Sequence, residues 1–108
     1  MIYEHRVYDV MPGKMAALQR RFAEQTVPRF EKYGMQVIGF WTNYIGGANN
    51  QLVYMLAFES LAERERIWEA YNADPETQQI RSAREADGPL VSRITNAILR
   101  PTSFSPLR

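Results

Sequence analysis

Two apolar runs flanking a glycine- and asparagine-rich loop constrain this chain more than any other feature. Residues 36–45 and 51–59 read as β-strands, and Gly46-Gly47-Ala48-Asn49-Asn50 between them can take positive φ, so the pair is a hairpin with a longer loop. By parity, one side of the second run shows Leu52, Tyr54, Leu56 and Phe58, and the other shows Val53, Met55 and Ala57. The first run places Ile38 and Phe40 on one side, Val37 and Trp41 on the other. A sheet with one wet face alternates apolar and polar residues. Here both faces are apolar, and both need cover.

The flanking segments supply cover for one face. Residues 2–10 alternate and are rich in Tyr and Val, which predicts a strand ended by Pro12-Gly13. From 14 to 33 the residues Met15, Leu18, Phe22, Thr26/Val27, Phe30 and Tyr33 recur at helical spacing, with Gly34 at the left-handed stop position. Pro28 lacks an N–H and clashes with the preceding turn, so a kink or restart is expected near Val27. Ser60-Leu61-Ala62-Glu63 matches a capping box that opens a second helix, whose Leu61, Ile67, Trp68 and Tyr71 share a face. Asp74-Pro75 opens a further short helix to about Ala86, and Gly88-Pro89 ends it. Residues 91–100 form the fourth strand and 101–108 an irregular tail.

The order strand, helix, strand, strand, helix, strand defines an α+β, ferredoxin-like βαββαβ fold in a single domain over residues 1–108. Two right-handed crossovers put the helices on one face of the sheet. The opposite face is then too apolar to be left to water, and a second copy of the chain is the simplest cover, giving a homodimer.

Composition narrows the function. The 108 residues contain 13 basic and 12 acidic side chains, one histidine and no cysteine. That balance excludes a nucleic-acid-binding patch, a thiol nucleophile and a thiolate metal site, and with a single His no metal site is expected. The first ten residues do not read as a signal peptide and no run is long and apolar enough for membrane insertion, so the expected location is cytoplasmic. No glycine loop resembles a phosphate cradle, and no cofactor is expected.

The first strand is the exception to the apolar rule. Its even side carries Ile2, Glu4, Arg6 and Tyr8, its odd side Tyr3, His5, Val7 and Asp9. If the even side faces the dimer interior, Glu4 and Arg6 lie in an apolar setting, where they must pair and where the carboxylate's pKa would rise. The candidate pocket is Glu4, Arg6, Tyr8, Trp41 and Tyr54; no catalytic residue is assigned. His5 reads as structural. Ser60 is explained by capping, and the run of Glu63, Arg64, Glu65, Arg66 and Glu69 reads as a solvated helix face.

Several segments together resemble the NIPSNAP family: Ile2-Tyr3-Glu4-His5-Arg6-Val7-Tyr8 with Met11-Pro12-Gly13-Lys14, Gly39-Phe40-Trp41-Thr42, Ser60-Leu61-Ala62-Glu63-Arg64, and Ile98-Leu99-Arg100-Pro101-Thr102 with Phe104-Ser105-Pro106-Leu107. The resemblance implies a ferredoxin-like domain that forms a dimeric α/β barrel, a fold shared with cofactor-independent monooxygenases and small isomerases. Tyr54 stands where relatives often carry histidine, which counts against a mechanism needing histidine on that strand. Three functions follow as expectations. The chain binds a small, partly apolar molecule between sheet and helices; or it is a cofactor-independent enzyme using the same pocket; or it is a structural or interaction module with a filled barrel.

Overall fold

The computed structural model describes residues 1–86 and 88–108, with backbone alone over 84–86. The strands are β1 (Ile2–Val10), β2 (Gln36–Thr42), β3 (Gln51–Phe58) and β4 (Val91–Leu99), and the helices are α1 (Met15–Arg21), α2 (Val27–Lys32), α3 (Leu61–Ala73) and α4 (Pro75–Ala86). The strands form one antiparallel sheet in the order β2-β3-β1-β4. This is the ferredoxin-like α+β arrangement expected from the element order.

Pro28 acts as expected, and its effect is larger than a kink. The helical stretch passes through a π-helical turn at Phe22–Thr26 before α2 restarts at Val27 with proline in its first turn. Widening the turn there avoids the clash between the proline ring and the preceding carbonyls. Gly34 closes α2 at φ 82°, a conformation that favours glycine.

The helices cover the face that carries Tyr8, Leu52, Tyr54, Leu56 and Phe58, all buried with Leu18, Phe22, Phe30, Ile67 and Tyr71. Aromatic edges do much of the packing: Phe22 meets Tyr8, Phe40 and Tyr54 in T-shaped pairs at 5.5 Å, and Phe30 meets Trp68 at 5.8 Å. The even side of β1 therefore faces the helices, not the open face. The reason is register: Arg6 pairs across to Tyr54 and Tyr8 to Leu52, which sit on the helix side. The parity assigned to β2 also changes. A bulge between Val37 and Gly39 puts Val37 opposite Leu56 and Phe40 opposite Tyr54, so both face the helices. An extra residue in one strand inverts the alternation beyond it.

The opposite face is left without helices. It carries Tyr3, His5 and Val7 from β1 and Val53, Met55 and Ala57 from β3, with Trp41 laid against Gly39 at the β2 edge. Tyr3 and Ala57 are buried and His5, Val7, Val53 and Met55 half-buried, whereas Trp41 is 51% exposed.

At the start of α3, Ser60 Oγ accepts from the Glu63 N–H at 3.1 Å. The Glu63 carboxylate does not return to the cap as a capping box requires; it holds Arg66 at 2.5 Å, an ion pair three residues along the helix. Leu61 is 58% exposed and lies off the buried face. At the next start, Asp74 accepts from the Glu76 N–H at 2.8 Å, and Arg29 of α2 reaches Asp74, Glu76 and Thr77, tying α2 to the α3–α4 junction. Ser60→Ala should lower stability by about 1 kcal/mol, measured by urea denaturation, with the fold unchanged in circular dichroism. A loss within error would mean that the serine cap contributes nothing.

Candidate functional site

Three strands bring one row of polar side chains together. Arg6 lies opposite Tyr54 on β3 and Asn96 on β4, and Glu4 and Tyr8 flank it on the same face of β1. Strand periodicity alone places residues 4, 6 and 8 side by side.

Glu4 is fully buried at the centre of this row. Its Oε1 accepts from Arg64 Nε and Trp68 Nε1, both at 2.9 Å. Its Oε2 accepts from Arg6 and from the second Arg64 nitrogen at 3.0 Å, and from Asn96 Nδ2 at 2.9 Å. Burial pushes the carboxyl pKa up, but hydrogen bonds from Arg64, Asn96 and Trp68 and the charge of Arg6 outweigh it, so Glu4 titrates at about 2. The rise expected from an apolar setting is reversed, because five donors satisfy the ionised form. Glu4 is therefore a fixed acceptor with no proton to give near neutral pH.

Arg6 is held on three sides. Its Nε donates to the Tyr54 hydroxyl at 2.7 Å, one terminal nitrogen to Glu4 at 3.0 Å, and the other to the Tyr8 hydroxyl at a long 3.4 Å. The guanidinium lies 4.9 Å from the centre of the Trp68 ring. The Tyr8 and Tyr54 hydroxyls are 3.1 Å apart. Burial raises the Tyr54 pKa well above its ordinary range, so this hydroxyl stays neutral and serves as a hydrogen-bonding link.

Beside this cluster, between β1 and the helices, lies a cavity of about 340 Å³. Arg6 and Tyr8 reach it, and Leu18, Phe22, Thr26 and Phe30 form its helical wall. Glu4 and Tyr54 stand behind Arg6 and do not line it. Trp41 is elsewhere, in a separate groove between β2 and α1. Of the five expected pocket residues, four form one bonded cluster, two of these reach the cavity, and Trp41 belongs to neither. His5 points to the opposite face. Among the described residues there is no group of three metal-ligating side chains.

The sequence reading misses several members of the site. Arg64, assigned there to a solvated helix face, is only 18% exposed and is the principal partner of Glu4. The signal was available: Arg64 and Trp68 are four apart, one turn of α3, and so present their donors to the same point. Asn96 and Thr26 carry no comparable mark.

A family model for NIPSNAP matches residues 3–106. Among solved structures, a NIPSNAP-like domain protein from Burkholderia xenovorans is 32% identical, covering 97% of this chain and 88% of its own, with a TM-score of 0.83. A NIPSNAP family protein from Agrobacterium tumefaciens is 29% identical, covering 99% and 98%, with a TM-score of 0.87. A candidate antibiotic biosynthesis monooxygenase from Nitrosomonas europaea shares the fold, with a TM-score of 0.65 at 12% identity over 94% and 98% of the two chains. No curated protein matches the sequence. With a match over nearly the whole chain, a helix layer on one side of the sheet and the β1 motif Glu4-His5-Arg6 in place, this chain belongs to the NIPSNAP family.

Proposed function

We propose that the protein is a homodimer that binds a small, partly apolar molecule in the cavity between β1 and the helices. The observation that carries the binding reading is the cavity's composition. It sits at the low end of the roughly 300–1,000 Å³ typical of ligand sites, and it joins an aromatic wall to a few converging polar groups. A module with a filled interior would have side chains in this space.

The pre-formed cluster favours binding over proton chemistry. Glu4 holds Arg6, and Arg6 is further fixed by Tyr54 and Trp68, so the group that meets a ligand is rigid before the ligand arrives. Titration with the neutral probe 2-naphthol, followed by NMR shifts of the cavity-lining residues, tests this. Ile94 lies on the helix side of β4, opposite Tyr8, and lines the cavity. Ile94→Trp should fill the space and weaken binding at least tenfold in a folded protein. Absence of binding at millimolar probe, or unaltered binding by folded Ile94→Trp, would overturn the reading.

A further inference from the structure

The cavity's polar groups have unused capacity of one kind. A guanidinium has five N–H donors, and Arg6 directs three of them to Tyr54, Glu4 and Tyr8, the last through a long contact. Its side chain is 15% exposed, and it lines the cavity. Two donors therefore lack a protein acceptor among the described residues. Arg81 also lines the cavity, and it donates a hydrogen bond to the neutral Asn72 side chain. The only full charges among the described lining residues are these two cations. Glu4 is saturated and shared with Arg64; Glu65 and Glu69 do not line the cavity but an adjoining recess, which Arg6 and Arg81 line as well.

Thr26 points to the same space independently. It is 5% exposed, it lines the cavity, and its Oγ1 has no hydrogen-bond partner. A buried hydroxyl left unpaired is costly, and natural structures hold few of them. Thr26 ends the π-helical turn that begins at Phe22, and turns of this kind occur often at functional sites. Phe22 and Phe30 line the same cavity and pack on Tyr54.

We infer that the ligand is a small aromatic carboxylate: Arg6, supported by Arg81, takes the anionic head, Thr26 hydrogen-bonds a polar atom of the ligand, and the ring lies among Leu18, Phe22 and Phe30. This rests on the reading of the cavity as a small-molecule site. A carboxylate supplies the paired acceptors that a fixed guanidinium matches. A flat ring suits walls made of aromatic edges.

The test compares 2-naphthoate with its neutral isostere 2-naphthamide by calorimetric titration at neutral pH, with 2-naphthol as reference. The acid should bind roughly tenfold tighter or more than the amide, the value of one charge-assisted hydrogen bond. Arg6→Met should remove that advantage. Arg81→Gln, outside the Glu4 cluster, should reduce it by about threefold and serves if Arg6→Met does not fold. Thr26→Val should weaken 2-naphthoate several-fold in a folded protein. Equal affinity of acid and amide, with 2-naphthol still binding, would overturn the anionic head and leave the cavity reading intact. Failure of all three probes would overturn both. An acid preference that survives in folded Arg6→Met, or that is undiminished in Arg81→Gln where Arg6→Met does not fold, would overturn the assignment of the head to these arginines, and unaltered affinity in Thr26→Val would remove Thr26 from the site.

Discussion

Glu4→Gln is expected to destabilise the fold by about 3–5 kcal/mol in urea denaturation at neutral pH, although it changes no volume. The carboxylate takes five hydrogen bonds and lies between the guanidiniums of Arg6 and Arg64. An amide in its place brings two N–H donors to a point already crowded with donors, and it leaves Arg6 without a counter-charge and Arg64 with only the exposed Glu65. Acid should reproduce the effect. The folded pKa of Glu4, about 2, lies below its ordinary 4.5, so its contribution is complete above pH about 4.5 and is lost as pH falls toward 2. A shift of that size corresponds to about 3 kcal/mol. The pH dependence between 5 and 2 should therefore be shallower in Glu4→Gln than in the wild-type protein, while other carboxylates such as Asp9 and Asp74, whose pKa values are also lowered, contribute equally to both. Parallel pH profiles, or a neutral-pH loss under 1 kcal/mol, would show that the cluster does not hold the site together.

This cluster also marks how far the sequence could be read. The pairing of Glu4 with Arg6 follows from strand periodicity and from the cost of lone buried charges, and both are local rules. The remaining partners are distant in sequence. Trp68 lies 64 residues from Glu4 and Asn96 lies 92, and only the docking of α3 and the pairing of β4 bring them in. Arg64 reads as solvent-exposed because it sits in a run of mixed charges, where its neighbour Arg66 is indeed 67% exposed. One turn of helix separates a surface residue from a buried one, and composition does not say which is which. The bulge in β2 shows the same limit. Gly39 gives room for the Trp41 ring, since a Cβ there would lie 2.7 Å from ring atoms, but nothing in the alternation announces the extra residue that inverts it. Elements with their own local signals were legible: the Pro28 restart, the Ser60 and Asp74 caps and the Gly34 stop. Thr26 was legible only as one position on a helical face; its unpaired hydroxyl emerges from the widened turn.

Val53→Arg is expected to convert a dimer into a folded monomer. Val53 stands near the centre of the sheet face that bears no helix, opposite Val7 on β1 and Trp41 on β2. Tyr3, Val7, Val53, Met55 and Trp41 make that face apolar, and the tail beyond β4 leaves Phe104 83% exposed. Two such sheets stacked about 10 Å apart would interleave these side chains, as in a sandwich core, and bury a face that a lone chain leaves to water. A two-fold axis through the centre of that face would bring each Val53 close to its counterpart, and one substitution would then place two like charges in one desolvated layer. Sedimentation equilibrium should give about 25 kDa for the wild-type protein, twice the 12.5 kDa chain, and about 12.5 kDa for Val53→Arg. Because residue 53 points away from the helices, the Glu4 cluster and the cavity beside it should persist in the monomer, and the 2-naphthol shifts should persist with them. A wild-type mass of 12.5 kDa at micromolar concentration would refute the dimer. A variant that dissociates and also loses the probe would instead show that the second copy completes the site, through its exposed tail or by bracing β1.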